Sequence, residues 1–120
     1  MAFADLGGLG TANSKTSGTT VALTTSQTVN VGDLIVVMMA WDNTDTSGFD
    51  GLRHYVTDSA GNFYRYLGQY VGGTAAANGS ECGIFGSVAE AQLSSGGTIT
   101  CTSVTARTAK AISARRFSLG

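Results

Sequence analysis

The sequence predicts an all-β domain, an antiparallel β-sandwich or jelly roll of about eight strands. Three observations predict it. Short runs rich in Val, Ile, Thr and Tyr recur about every ten residues, separated by glycine-bearing turns. Proline is absent and glycine occurs 17 times, so the turns fall to Gly, Asn and Asp. Helical periodicity is nearly missing: "VAEAQL" at 88–93 is the one short run of helix formers, and "SSGG" closes it.

The expected strands are 19–25, 27–31, 33–41, 53–58, 62–71, 82–89, 97–105 and 109–118. Residues 1–18 then form an N-terminal arm, and 19–120 the sandwich domain. The run "LIVVMMAW" at 34–41 lacks a clean apolar–polar alternation, which predicts a central strand covered on both faces or at an interface. "TDSAGNFY" is the clearest turn: Asp58 can cap backbone amides, Gly61 and Asn62 tolerate positive φ, and Tyr55 and Tyr64 are expected to pack across the hairpin. "QYVGGTAAANGSECG" reads as a tip loop of small residues.

At 120 residues the chain holds one core. Its formal charge of −1 gives it no electrostatic claim on nucleic acid or an anionic membrane. Charged residues are only 12%, so the surface is neutral and hydroxyl-rich, as suits a protein assembled into something larger or one exposed outside a cell better than a free cytosolic enzyme. No apolar run approaches the ~20 residues of a membrane helix. The start "MAFADLGGLG" has no basic or long apolar segment of a secretory signal, so arrival outside a cell is expected by lysis or after loss of a leader. Cys82 and Cys101 have no histidine cluster nearby and make no zinc site. Both are expected buried on paired or facing strands as free thiols, with a cross-strand disulfide as the alternative in an oxidising compartment.

The abrupt change at Trp41, from an apolar run to "DNTDTSGFD", raises the question of a ligand. With Asn43 at the first position of an EF-hand frame, Asp45 takes the third and Gly48 the sixth, but His54 stands where a bidentate Glu belongs. No cofactor or metal is therefore expected, and an irregular calcium site from Asp42, Asp45 and Asp50 is the alternative to a solvated loop capping a buried strand. Trp41 offers a sugar-stacking face, but a lone Trp ending an apolar strand is more often core or interface. His54 is the only histidine, and no nucleophile elbow, HExxH or phosphate loop accompanies it. The chain reads as non-enzymatic.

Charge is unevenly spread. Arg107, Lys110, Arg115 and Arg116 fall within the last fourteen positions, while Asp33, Asp42, Asp45, Asp50 and Asp58 crowd 33–58. Adjacent arginines in a strand point to opposite faces, which predicts that the last strand is an edge or meets an acidic partner. Asp42, Asp45, Asp50, Arg107, Lys110, Arg115 and Arg116 are the candidate partner contacts.

Taken together, "VNVGDLIVVMMAWDN", "VTDSAGNFYRYLGQY", "CGIFGSVAEAQLSSGGTITCT" and "AKAISARRFS" resemble a small β-sandwich module of tailed-bacteriophage structural proteins, found also in some bacterial surface proteins. The resemblance spans 19–118 and rests on strand-and-turn patterns, which are specific for fold and weak for function. It implies a non-enzymatic virion structural protein of the capsid decoration (cement) or head-fibre type. Such a protein assembles in the host cytoplasm and sits on the capsid surface. Its partners are the major capsid protein or other virion subunits, and it forms a homo-oligomer on the particle without nucleic acid or membrane. A carbohydrate- or calcium-binding adhesion module is the alternative. The pattern has no catalytic residues to carry over, and the Arg115–Arg116 pair departs from it.

Overall fold

A computed structural model describes residues 2–43, 54–72 and 79–120. Among them are eight strands and no helix: β1 (Ala4–Ser14), β2 (Gly18–Thr24), β3 (Leu34–Asp42), β4 (His54–Asp58), β5 (Arg65–Gly72), β6 (Ser80–Val88), β7 (Thr98–Arg107) and β8 (Lys110–Ser118). They form two antiparallel sheets, one ordered β1-β8-β3-β6-β5 and the other β2-β7-β4. The nested pairs β1 with β8, β2 with β7 and β3 with β6 are what folding one long antiparallel ribbon into a jelly roll produces. The innermost pair is broken: β5 joins β6, and β4 joins β7.

The core lies between the sheets. Ile35, Val37, Met39 and Trp41 of β3 and Phe85 of β6 enter from the five-stranded sheet, and Val21, Leu23, Ile99 and Cys101 enter from the other. β3 is central, as expected, but its burial alternates strictly, with the odd-numbered residues inside and Met38 and Ala40 exposed. The apolar run is thus covered on one face only.

Several expectations change. The segment 27–31 makes an isolated bridge, Val29 to Leu93, rather than a strand. Residues 4–14, expected within an arm, form an edge strand in register with β8, with shifts between Asp5 and Gly7 and between Gly8 and Gly10. These bulges let a glycine-broken sequence keep a strand's pairing and turn Leu9 fully into the core. Gly10 has φ +149, and a Cβ there would stand 2.8 Å from the carbonyl oxygen of Thr24. With β1 paired on one side and β3 on the other, β8 is an interior strand and not the edge its arginines suggest.

The turn after β4 is built as its residues imply. Asp58 Oδ1 accepts from the amides of Ala60 and Asn62 at 2.9 and 3.1 Å, and Gly61 alone takes positive φ. Asn62 then ties the turn to the end of β6, its Oδ1 accepting from the amides of Glu90 and Ala91. Tyr64 is buried and donates to Asp58 Oδ2 at 2.8 Å, and this burial, with the carboxylate beside it, pushes its phenol up. Tyr55 is exposed and does not share that packing.

Candidate interaction surface

Two features could carry function: a charged cluster inside one end of the sandwich, and the uncovered face of the five-stranded sheet. The cluster is centred on Glu81, which β6 turns inward. His54 from β4 places Nε2 3.1 Å from Glu81 Oε1, and Arg107 from β7 places Nε 4.0 Å from the same oxygen. Lys110 from β8 donates through Nζ to the carbonyl oxygen of Arg107 at 2.7 Å and to that of Thr16. Trp41 closes the cluster from β3, edge-on to the His54 ring at 5.0 Å and 87°. Every one of these side chains is buried. A carboxylate out of water needs such partners, because unpaired burial would be very unfavourable.

This placement disposes the expected site residues in three groups. Arg107 and Lys110, expected at a partner surface, are 1% and 3% exposed, and their charges are used within the chain. Arg115 is about half exposed and bonds Asp5 Oδ2 at 2.6 Å, holding that carboxyl below the usual range. Arg116 bonds the mostly buried Asp33 at 2.7 Å. Asp42 accepts from the Ala109 amide at 3.2 Å, capping the β3 end. Asp45 and Asp50 lie outside the described residues. Among the described residues no three His, Cys, Asp or Glu side chains gather as a metal site would require. Trp41, 2% exposed, offers no face to a sugar.

The cysteines are free and occupy opposite environments. Cys101 is buried, and that burial, with Glu81 nearby, pushes its thiol up to about 12. Cys82, expected inside, is exposed on the outer face. That expectation rests on its apolar neighbour Ile84, but β6 turns Glu81 inward, so strand alternation points Cys82 and Ile84 out.

That outer face carries the residues of 34–41 that the fold leaves uncovered, where the sequence predicts either burial or an interface. Met38, Ile84, Leu67, Tyr70 and Val88 are all substantially exposed along the five-stranded sheet, as is Phe63 just ahead of β5. Beside them, Ala40, Ala111, Cys82 and Asn13 floor a shallow trough of about 520 Å³. Arg115 and Arg65 stand in the row that separates Met38 and Ile84 from Val88.

A solved structure, the tripod (BppUct-A-L) from the baseplate of bacteriophage Tuc2009, is similar to this chain at 13% identity with a TM-score of 0.42. The similarity covers 90% of this chain and 62% of that one, so the chain spans less than two thirds of that chain's length. No family model matches the sequence, and no curated protein does.

Proposed function

We propose that this chain is a non-enzymatic structural protein of a phage virion that binds other virion subunits, in its sharper form a decoration protein that reinforces a capsid. The observation that carries the binding role is the outer face of the five-stranded sheet. Large apolar side chains exposed together on one sheet face, with Met38 beside Ile84 and Tyr70 in the next row, are what a protein-interaction site presents. The virion setting is supported by the strand-and-turn resemblance over 19–118. The burial of His54 against Glu81 supports the non-enzymatic reading, since the one histidine available for proton transfer is occupied inside the core. The adhesion alternative asked for Trp41 exposed beside the acidic loop, and Trp41 is packed on His54 instead.

Incubation with undecorated capsids, followed by sedimentation, tests the reading. Saturable co-sedimentation and a raised disruption temperature of the particle are expected. A chain that never associates with particles at any concentration overturns it.

A further inference from the structure

The strand register lays the outer face out in rows. One row crosses the sheet as Thr11, Ser113, Met38, Ile84 and Gly68. The next, two residues along, crosses as Asn13, Ala111, Ala40, Cys82 and Tyr70. The first row raises a ridge at Met38 and Ile84, which are 42% and 43% exposed, and falls to a bare backbone at Gly68. The second is a floor of small side chains that rises at its end to Tyr70, 71% exposed. Over β3, β6 and β5, large and small residues are therefore inverted between the two rows.

We infer that this face packs against the same face of a second copy, about a two-fold axis lying in the interface, parallel to the rows and midway between them. That operation lays each row on the other. Met38 of one copy then meets Ala40 of its partner, Ile84 meets Cys82, and Tyr70 covers Gly68. Stacked sheets sit ~10 Å apart, which admits a large side chain over a small one and excludes large over large. An isologous contact requires this reciprocity, and the face has it without rearrangement.

The next rows out add a charge match. Arg115 stands beside Val36 on one side, and Asp42 follows Ala40 on the other. The same axis brings the Arg115 row over the Asp42 row. Five strands ~4.8 Å apart and four rows ~7 Å apart cover roughly 650 Å² of each copy, near the ~800 Å² per partner of a standard specific interface. The proposal rests on the reading of this face as a protein-binding surface and names the first protein it binds.

Sedimentation velocity on the whole chain tests it, with two variants that place bulk in the small positions. A Cβ at Gly68 meets nothing within 4 Å in its own chain, so Gly68→Arg obstructs only the partner's Tyr70. Ala40→Arg obstructs Met38. A wild-type dimer is expected, with both variants monomeric at unchanged far-UV dichroism and melting temperature. Alkylation of wild-type Cys82 by a maleimide is expected to slow as protein concentration rises and the floor is covered. A wild-type monomer throughout the accessible concentrations, or a dimer that both variants retain, overturns the inference. Particle binding measured in parallel separates the two readings. A monomer whose particle binding Gly68→Arg abolishes refutes the dimer and leaves the virion reading standing; a dimer that ignores particles does the reverse.

Discussion

His54 and Glu81 meet across the interior of the sandwich, one from each sheet, with Nε2 3.1 Å from Oε1 and side chains 0% and 1% exposed. The contact ties β4 to β6, which share no backbone pairing. A buried pair of this kind adds little over a well-packed apolar pair, but removing one member strands the other. Glu81→Leu removes the carboxylate that His54 and Arg107 face and should lower unfolding stability by about 3–5 kcal/mol. The double variant His54→Leu, Glu81→Leu should lose less than the sum of the single variants. Urea denaturation measures both. A Glu81→Leu loss under about 1 kcal/mol, the scale of an exposed pair, would mean that water reaches the cluster.

The first strand is expected to be integral to the fold. Leu9 is fully buried although it is the unpaired residue of the second bulge, between Gly8 and Gly10. Leu9→Ala should therefore cost about 2–5 kcal/mol, as a large-to-small core change does. Gly10→Ala should destabilise as well, through positive φ and the clash with the Thr24 carbonyl. Thermal melts with both variants indistinguishable from wild type would return residues 4–14 to the status of a detachable arm.

The thiols should behave as opposites. Cys82 is expected to react with a maleimide in the native monomer while Cys101 stays unmodified until the chain unfolds. Cys101 also predicts an alkaline limit. Its thiol stays protonated to about 12 in the fold, against an ordinary value of 9.0. Above that ordinary value the unfolded chain releases a proton that the folded chain holds. The contribution is complete below pH 9 and is lost as pH rises toward the folded value, and Tyr64 acts in the same direction. Denaturation midpoints should fall with pH above 9, less steeply in Cys101→Val. A midpoint flat from pH 8 to about 11 contradicts the burial of both groups.

What the sequence conveyed was what local physics writes locally. The strand spacing and the Asp58–Gly61 turn were legible because β-branched runs and positive-φ glycine act over a few residues. β1 was not, since bulges at Gly7 and Gly10 erase the two-residue alternation that marks a strand. The face of β6 was not legible either. An inward Glu81 looks like an outward one until His54 and Arg107, far away in sequence, are seen beside it. With Glu81 inside, Cys82 and Ile84 face outward, which their apolar character alone does not predict. The charge bias near the C-terminus was visible, but its use was not: Arg107 and Lys110 carry it inward, and Arg116 to Asp33.

The two adjacent arginines should respond differently to charge reversal. Arg115 and Asp5 are both about half exposed, so solvent and salt screen their contact, and Arg115→Glu should leave the melting temperature almost unchanged. Arg116 and Asp33 are mostly buried at the sandwich end, and a charged hydrogen bond there contributes about 1.5–3 kcal/mol. Arg116→Glu should destabilise measurably, with recovery in the swapped pair Asp33→Arg, Arg116→Glu. Only Arg115→Glu is thus a clean probe of partner contacts. In the virion reading it should lower occupancy on particles, and in the dimer it should weaken association by removing the match to Asp42. The effect should shrink as salt is raised, since exposed charges more than ~8 Å apart are screened at physiological ionic strength. If Arg115→Glu decorates and dimerises like wild type at low salt, Arg115 serves only its own chain through Asp5, and the apolar rows alone carry the contact.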